Sequence, residues 1–363
     1  MPGLSLIVPC YNEERTLAAC VERILGLKQQ GLDLEIIIVD DCSKDKSREI
    51  AARLAEKFAE VRLLTHQENR GKGAAIRTGL LEAAGEYIGI QDADLEYDPL
   101  QYGGLLRVMR EEEADVVYGS RYLSPSNARR VLYFWHTWMN KTLTFLSNMF
   151  TNLDLTDMET CYKLFRREII RALAPSLKEN RFGFEPEITA KVALSGARVY
   201  ECAIAYKPRS YEEGKKIGWK DGFHALYCIL HYSAHRAPLP MQVLLYFLIG
   251  LIAALVNIGG FTSLLAAGLR PGMAIALAFV LAAVVNYLLC IAILFRHKAF
   301  WSTAGELFTY LVTVALMGLV DYGVTTGLLA LGLAPPWAKS WAAAVGFAGN
   351  FILRRWLVFR EKR

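Results

Sequence analysis

Up to about residue 235, the chain alternates short apolar runs with longer stretches whose apolar residues recur at helical spacing. The runs of strand length are LSLIVP, LEIIIVDD, VRLLTH, EYIGIQDAD and ADVVYGSR. Helical patterns lie between them, at 13–28, 45–58, 71–84 and 99–112. Strands that alternate with helices are typical of a parallel sheet with helices on both faces. The pattern therefore predicts an α/β fold for this part.

The pattern changes after this region, where charged residues become rare. None occurs in 241–269 or 271–295, and 307–333 contains only Asp321. A helix needs about 20 apolar residues to cross a bilayer. Buried helices of a soluble protein are the alternative, but three such long runs in succession make it the weaker one. A fourth apolar run, 342–353, is shorter and reaches this length only if it begins near Pro336 and tolerates Lys339. We therefore predict four transmembrane helices, at about 241–269, 272–295, 305–333 and 336–357.

The apolar region repeats. Shifted forward by 64 residues, 246–298 aligns without a gap on 310–362. Apolar helices resemble one another by chance, but chance does not explain matches at polar and glycine positions. Such matches are Gly259 with Gly323, Thr262 with Thr326, and Asn286 with Asn350. We therefore expect two helical hairpins in the same orientation, as in a parallel repeat.

Basic residues gather at one end of these hairpins. FRHK at 295–298 follows the second predicted helix, FREKR follows the fourth, and Arg236 precedes the first. The positive-inside rule then predicts a multi-pass cytoplasmic membrane protein whose termini and α/β domain face the cytoplasm. The net charge of +5 is interpreted as membrane-facing, with no nucleic acid as partner and no cleavable signal peptide. The oligomeric state has no sequence signal.

An amphipathic stretch joins the two parts. Phe223, Tyr227 and Leu230 recur at helical spacing, whereas Lys220 and His224 mark a polar face. Two interpretations stay open: a helix in the membrane interface, or an ordinary helix that closes the α/β domain. The predicted domains are 1–217 (α/β), 218–238 (linker helix) and 239–363 (membrane).

The chain has seven cysteines, an odd number. No two of them form a CxxC pair. A disulfide framework usually shows an even number at regular spacing. We therefore expect reduced, buried thiols.

Carboxylates gather after the fourth predicted strand, where QDADLE supplies Asp92, Asp94 and Glu96. Like charges repel one another, and hard carboxylate oxygens suit Mg²⁺ or Mn²⁺. The alternative is that these acids cap the helix that begins near Pro99 and pair with arginines. Three acids at alternate positions fit that alternative poorly, so the stretch predicts a divalent metal site.

Other polar segments follow the first and second strands, PCYNEE and DDCSKDKS. Parallel sheets bind ligands at the carboxyl ends of their strands. The basic, glycine-rich stretch NRGKGAAIRTG at 69–79 contains Lys72 and opens a helix. It is either a phosphate cradle at a helix N-terminus or a plain helix cap. The common nucleotide fingerprints GxGxxG and GxxxxGK[ST] are absent.

IVPCYNEE, IIIVDDCSKD, NRGKGAAIRTG, QDADLE and VVYGSRY, in this order, resemble family 2 inverting glycosyltransferases of the GT-A fold. More specifically, they resemble polyprenyl-phosphate sugar synthases such as dolichol-phosphate mannose synthases, over about 4–235. The C-terminal repeat resembles the GtrA-like membrane domain. The resemblance implies a Rossmann-like GT-A domain that transfers a sugar, with metal dependence and inversion, at the cytoplasmic face of the bilayer. The implied donor is GDP-mannose or UDP-glucose, and the acceptor is polyprenyl or dolichyl phosphate.

The resemblance also assigns residues. It makes Asp92, Asp94 and Arg121 catalytic, and Asp92, Asp94 and Glu96 the ligands of Mg²⁺ or Mn²⁺. Arg121, Arg129 and Arg130 correspond to the region that holds the acceptor phosphate. The implied donor-binding residues are Pro9, Tyr11, Glu13, Asp40, Asp41, Lys72, Asp92, Arg209 and Lys215.

The sequence departs from the family pattern in three places. Glu96 stands where many members have Gln, TDMETCYK at 156–163 replaces an SGFR-type segment, and the loop with Lys215 and Lys216 lacks the usual GESK form. The second departure puts mannose in question as the sugar.

The acceptor decides whether a general base is needed. A lipid phosphate, with a second pKa of about 6, is already largely a dianion at pH 7 and needs none. If the acceptor were a hydroxyl, Asp157 or Glu159 would be the base; alternatively, these acids pair with Lys163 or Arg166. Two other functions stay open: a processive polysaccharide synthase, whose usual QxxRW is absent near the sheet, and a lipid-linked sugar transporter with a catalytic domain.

Overall fold

The structure, a computed structural model, describes residues 3–123, 133–207, 219–294 and 303–358. The chain divides into an N-terminal unit, Met1–Ala237, and a C-terminal unit, Pro238–Arg363. The finer predicted division, with a separate linker at 218–238, stays a prediction.

The N-terminal unit is built on a seven-stranded sheet. Its order is β3-β2-β1-β4-β6-β5-β7, and β6 runs antiparallel to both of its neighbours whereas the other pairs are parallel. All five predicted strands are confirmed, whereas the short β6 and the half-buried edge strand β7 were not predicted. The strands are β1 (Leu4–Cys10), β2 (Leu34–Asp40), β3 (Val61–Thr65), β4 (Tyr87–Ile90), β5 (Val116–Ser120), β6 (Lys163–Arg166) and β7 (Val199–Ala203).

Eight helices are described in this unit. The four predicted helices are confirmed with shorter ends; the first begins at Leu17 rather than residue 13, because Asn12 has a positive φ of 55° and a turn follows it. The alternation of strands and helices confirms the predicted α/β class. The helices are α1 (Leu17–Leu25), α2 (Ser47–Lys57), α3 (Lys72–Glu82), α4 (Tyr102–Glu111), α5 (Phe134–Thr151), α6 (Arg167–Leu173), α7 (Phe184–Ser195) and α8 (Trp219–Ser233).

Close packing of α3 on β1 positions the start of α3. Both β1 and β2 are almost wholly buried, as expected of central parallel strands. A Cβ on Gly79 of α3 would lie only 2.3 Å from Cγ2 of Ile7 on β1. Glycine at this position therefore allows the helix to approach the strand. This close packing fixes the position of the start of α3, where Lys72 is the first residue.

The C-terminal unit confirms the sequence repeat. Its helices are α9 (Leu239–Ala266), α10 (Pro271–Leu289), α11 (Thr303–Ala330) and α12 (Pro335–Leu353). The bounds of α9 and α10, moved by 64 residues, coincide with those of α11 and α12. Each hairpin turns at a glycine with positive φ, Gly268 (85°) or Gly332 (83°). Each second helix continues into a π-helical turn, 290–294 or 354–358.

The described part of the C-terminal unit contains one helix that is long and apolar enough to cross a membrane. This is α9, with 28 residues and a mean hydropathy of 2.3 in its most apolar window. Val280–Leu294 and Phe308–Met317 are shorter apolar helical stretches. The four helices are therefore present, whereas their number of membrane crossings stays a proposal.

Arg354 connects the helices of this unit. Its guanidinium donates to Oδ1 of Asn286 on α10 and, over 3.4 Å, to the hydroxyl of Tyr310 on α11. It also lies 4.7 Å from the ring centre of Tyr310 and 5.6 Å from that of Tyr246 on α9. Cation–π contacts stabilise a cation more strongly where water is excluded, and Arg354 is buried. Arg354 therefore joins α9, α10 and α11 to the end of α12.

Gly79→Ala tests the packing of α3. We expect it to lower the free energy of unfolding by about 1–3 kcal/mol, because the added methyl forces Ile7 and the helix apart. Gly104→Ala is the matched control, since a Cβ there meets nothing within 4 Å on α4. That substitution should be neutral or stabilising by up to about 1 kcal/mol. Equal thermal stabilities for the two variants would contradict the packing argument.

Candidate active site

A cavity of about 750 Å³ opens at the carboxyl edge of the sheet, where β1, β2, β4 and β5 end. It brings together most of the residues predicted for the site. Those on its wall are Pro9, Tyr11, Glu13, Asp41, Lys72, Asp92, Asp94, Glu96 and Arg121.

The backbone is strained at this edge. Asn12, Cys42 and Leu95 have positive φ values of 55°, 61° and 60°, and they follow β1, β2 and β4. Positive φ is uncommon for residues other than glycine and concentrates at functional sites. Oδ1 of Asn12 accepts a hydrogen bond from the backbone N–H of Lys44 at 2.8 Å, which ties the first two loops together.

The carboxylates of the acidic loop have different partners. Oδ1 of Asp94 accepts the backbone N–H of Glu96 (3.1 Å), and Oε2 of Glu96 accepts the hydroxyl of Tyr206 (3.0 Å). Oδ1 of Asp98 accepts the backbone N–H of Leu100. Asp98 therefore caps the helical turn that begins at Pro99, whereas the capping alternative concerned Asp92, Asp94 and Glu96.

Asp92, Asp94 and Glu96 all lie on the cavity wall. Their hard carboxylate oxygens fit Mg²⁺ or Mn²⁺, which also take ligands from a substrate phosphate. Among the described residues the three carboxylates do not converge into one preformed ligand set, so a metal here would use one or two of them and complete its shell with a bound diphosphate.

Lys72 supplies positive charge to the acidic loop. Its Nζ lies 2.8 Å from Oδ1 of Asp92 and 3.8 Å from Oε1 of Glu185, and it contacts Sγ of Cys161. Burial alone would lower the pKa of Lys72, but Asp92, Cys161 and Glu185 outweigh burial and raise that pKa well above its usual value. Lys72 therefore stays charged at the cavity wall, where it can meet an anionic ligand.

The glycine-rich loop binds a carboxylate of its own chain. The backbone N–H groups of Arg70 and Gly71 donate to the buried side chain of Asp41 at 2.9 and 2.7 Å. His66 Nδ1 lies 2.7 Å from the same carboxylate. These two N–H groups are therefore engaged within the chain, whereas the side chain of Lys72 lines the cavity. The phosphate cradle and the plain cap both stay predictions.

Asp40 does not reach the cavity. It is the last residue of β2 and fully buried, and its Oδ2 faces Ser43 N at 3.4 Å. Successive side chains of a strand point to opposite sides, so Asp40 points inward where Asp41 lines the cavity. Asp40 is thus not on the cavity wall, and its predicted contact with the donor stays a prediction. Five other candidates lie outside the described residues and stay predictions: Arg129, Arg130, Arg209, Lys215 and Lys216.

Arg121 forms a bidentate ion pair with Asp157. Nε and Nη2 of Arg121 each lie 2.7 Å from a carboxylate oxygen of Asp157, which is fully buried. Burial alone would lower the pKa of Arg121, but Asp157 raises it well above its usual value. The predicted pairing of Asp157 with Lys163 or Arg166 is therefore wrong. Lys163 instead donates to backbone carbonyls, and Arg166 lies near Asp115.

Glu159 carries an unsatisfied carboxyl on the cavity wall. Its Oε1 is buried, with no hydrogen-bond partner among the described residues. Burial, together with the negative charge of Glu185, raises the pKa of Glu159 to about 8. The carboxyl is therefore mostly protonated at pH 7 and can donate a hydrogen bond to a ligand.

Several wall residues lie outside the strand-end motifs, so the sequence offered no local signal for them. They reach the cavity because β6, α7 and the segments around them fold against the predicted strands. These residues are Cys161, Arg181, Phe182, Glu185 and Tyr206.

One side of the cavity is apolar. It is formed by α5 and α8, whose apolar residues lie there beside three polar ones, His136, Asn140 and Asp221. The apolar residues are Trp135, Met139, Leu143, Gly222 and Ala225. Neighbouring aromatic side chains of both helices are exposed to solvent. They are Tyr133, Phe134, Trp138, Phe223 and Tyr227.

The N-terminal unit thus combines acidic loops at the ends of parallel strands with an apolar wall. Residues 5–174 match the family described as glycosyl transferase family 2. Residues 245–359 match the GtrA/DPMS transmembrane domain. The chain joins a family 2 glycosyltransferase domain to a GtrA/DPMS membrane domain. The resemblance drawn from the motifs is confirmed at both ends of the chain.

The glycosyltransferase domain also resembles individual proteins. A dolichyl-phosphate beta-glucosyltransferase of Drosophila melanogaster is 32% identical over 200 residues, which cover 51% of this chain and 61% of the relative. For dolichyl-phosphate beta-glucosyltransferase ALG5A of Trichomonas vaginalis, the identity is 29% over 214 residues, covering 56% and 65%. The chain thus spans less than two thirds of these relatives. The crystal structure of glucosyl-3-phosphoglycerate synthase from Mycobacterium tuberculosis aligns with a TM-score of 0.49 and 17% identity, covering 65% of this chain and 80% of that one.

Glu159→Gln tests the protonation of the glycosyltransferase cavity. Folding raises the pKa of Glu159 from 4.5 to about 8, so its proton favours the folded state. This stabilisation is complete below pH 4.5 and is lost as the pH rises through 8. Between pH 6 and pH 8, the wild type should therefore lose about 2 kcal/mol more stability than the variant. Parallel thermal-unfolding profiles in detergent would refute the assignment.

Arg121→Ala should destabilise the glycosyltransferase domain by about 3–5 kcal/mol, because it leaves Asp157 charged and unpaired in the interior. Arg121→Met combined with Asp157→Leu should recover much of this loss. Lys28→Ala is the exposed control, because Lys28 pairs with Glu60 at the surface, and it should cost less than about 1 kcal/mol. A double variant as unstable as the single one, measured by thermal unfolding, would argue against the ion pair as the cause.

Proposed function

We propose that the protein transfers a glucosyl residue from a nucleotide sugar to a polyprenyl or dolichyl phosphate, with inversion. The observation that carries this proposal is the composition of one cavity. Lys72 and the acidic loop lie on its polar side, and α5 and α8 form its apolar side. A charged diphosphate and a lipid-linked phosphate need these two surfaces next to each other.

The named activity of the curated relatives supports the choice of sugar. Both are dolichyl-phosphate beta-glucosyltransferases. We therefore favour UDP-glucose over GDP-mannose as the donor. The departure at 156–163 from the segment of mannose synthases agrees with this choice.

The donor diphosphate would lie at the polar side. Asp92, Asp94 and Glu96 would hold Mg²⁺ or Mn²⁺, which when bound offsets the charge of the diphosphate leaving group. Lys72 offers a charged ammonium beside Asp92. Its charge favours the diphosphate electrostatically as the bond to the sugar breaks.

The candidate bases favour a phosphate acceptor over a hydroxyl acceptor. Both oxygens of Asp157 are engaged by Arg121, and Glu159 is mostly protonated at pH 7. A hydroxyl nucleophile would need an ionised base, whereas a lipid phosphate is already anionic. A protonated Glu159 also avoids repulsion between the wall and that anion. The phosphate oxygen would attack the anomeric carbon directly, and Arg121 would contribute positive charge nearby.

The apolar side would receive the first isoprene units of the acceptor. Trp135 lines the cavity and is itself largely exposed, and Phe134 and Phe223 are exposed beside it. Aromatic side chains of this kind are favoured at the level of lipid headgroups. In this proposal α5 and α8 face the cytoplasmic leaflet, and the four helices of the C-terminal unit cross the bilayer with both termini in the cytoplasm.

A glycolipid assay tests the function. The full chain in detergent is incubated with polyprenyl phosphate and either UDP-glucose or GDP-mannose, and the lipid product is identified by mass. We expect a glucosyl phosphate lipid from UDP-glucose. The matched control acceptor is the polyprenol without its phosphate, which should give no product. Transfer to the polyprenol as fast as to the phosphate would overturn the proposed acceptor.

Asp94→Ala tests the metal ligands. Transfer should fall by at least about 100-fold, because the diphosphate then lacks a properly held cation. Asp98→Ala is the matched control, since Asp98 only caps the following helical turn, and it should keep most of the activity. A chelator should abolish wild-type transfer, and Mg²⁺ or Mn²⁺ should restore it. Full activity in excess chelator would contradict the metal requirement.

A further inference from the structure

Three metal-ligating side chains converge behind the cavity wall. Glu179 belongs to the loop 177–183 before α7, and His224 and Cys228 lie one turn apart on α8. One donor atom from each of the three lies within 4.8 Å of the others. Over the described ranges of the chain, no other three His, Cys, Asp or Glu side chains form such a set.

The distances suit a tetrahedral ion. His224 Nε2 lies 3.6 Å from Cys228 Sγ and 2.8 Å from Glu179 Oε2. Zn²⁺ binds nitrogen and oxygen at about 2.0–2.1 Å and sulfur at about 2.3 Å, which places its ligands about 3.3–3.7 Å apart. The His–Cys separation already fits, and the Glu–His separation needs to open by about 0.5 Å. Helical i, i+4 spacing is also used by the paired histidines of zinc proteases.

The surroundings are shaped for these donors. A Cβ on Gly183 would lie 2.6 Å from Glu179 Oε2 and 2.7 Å from Cys228 Sγ, so a larger residue would displace them. The hydroxyl of Tyr232 donates to the other oxygen of Glu179 at 2.8 Å. Such outer hydrogen bonds commonly orient metal ligands. An ion pair between Glu179 and His224 alone does not explain why a buried thiol lies against both.

We propose that Glu179, His224 and Cys228 bind Zn²⁺, with a water molecule completing the coordination. A thiolate and an imidazole select a borderline-soft ion such as Zn²⁺, whereas Mg²⁺ prefers oxygen ligands. Cys228 is fully buried and His224 is exposed, so the ion enters from the solvent side. The site is chemically distinct from the acidic loop.

The position of the site indicates a structural role in the cavity wall. Arg181 and Phe182 of the loop line the cavity, as do Gly222 and Ala225 of α8. The loop also holds the start of α3, because the carbonyl of Asn180 accepts the backbone N–H of Ala74. An ion bound to the loop and to α8 would therefore cross-link two parts of the wall. This inference does not depend on which sugar or acceptor the protein uses.

The test uses the full chain in detergent after removal of any affinity tag. Zinc is measured by elemental analysis, and Co²⁺ is titrated into the metal-free protein. We expect about one Zn²⁺ per chain and a thiolate-to-cobalt charge-transfer absorption that Mg²⁺ does not abolish. Cys228→Ser and His224→Ala should weaken Zn²⁺ binding at least about 100-fold, and Zn²⁺ should raise the Tm of the wild type only.

Cys202→Ser is the matched control, because Cys202 is a free thiol of β7 that does not line the cavity. It should bind zinc like the wild type. The proposal is overturned if the wild type shows no thiolate–cobalt absorption, or if Cys228→Ser retains it. If the variants fail to fold by circular dichroism, the wild-type protein decides. A thiolate–cobalt absorption that Zn²⁺ displaces and Mg²⁺ does not supports the site, and the absence of this absorption overturns it.

Discussion

Repulsion among carboxylates at one edge of the sheet is the constraint on which the N-terminal unit depends. Three of these acids are offset within the chain, in different ways. Lys72 pairs with Asp92, and Arg121 pairs with Asp157. Glu159 instead keeps its proton, because burial and a neighbouring acid raise its pKa to about 8. These pairings offset part of the negative charge at the edge, whereas Asp94 and Glu96 accept hydrogen bonds from a backbone N–H and from a tyrosine hydroxyl.

A carboxylate also holds the glycine-rich loop in place. Asp41 is buried and accepts the N–H groups of Arg70 and Gly71, so an acid of the second strand end organises the loop that carries Lys72. Gly71 has a φ of 97°, and a Cβ there would lie 2.3 Å from the carbonyl oxygen of Asn180. The glycine-rich loop is therefore held by hydrogen bonds to the Asp41 carboxylate and by close packing against the loop before α7. This arrangement pre-positions the Lys72 ammonium for a ligand.

The C-terminal unit repeats its backbone more faithfully than its polar contacts. The two hairpins share element bounds, turns and π-helical ends. Yet the position of Cys290 in the first hairpin is occupied by Arg354 in the second, and Arg354 donates a hydrogen bond to Asn286. The corresponding Asn350 has a buried Oδ1 without a partner among the described residues. The duplicated scaffold thus carries the Arg354 cross-link in its second hairpin only, where two tyrosine rings and an asparagine stabilise the buried cation.

The sequence by itself determined the alternating strands and helices, the hairpin repeat and the acidic loop with Asp92, Asp94 and Glu96. These features are local: periodicity within a segment, a gapless repeat, or polar residues directly after an apolar run. Parallel topology then brings strand ends to a common edge, which is why most predicted donor-side residues line one cavity.

Only the tertiary structure decided which charges are paired and which are buried. Arg121 meets Asp157 across 36 positions of the chain, and Asp40 points inward whereas Asp41 faces the cavity. The protonation of Glu159 depends on the burial around it. The ion-pair partner of a side chain and the pKa of a carboxyl depend on distances between atoms and on the exclusion of water. Neither quantity can be read from the sequence. They arise once β6, α7 and α8 fold against the predicted sheet.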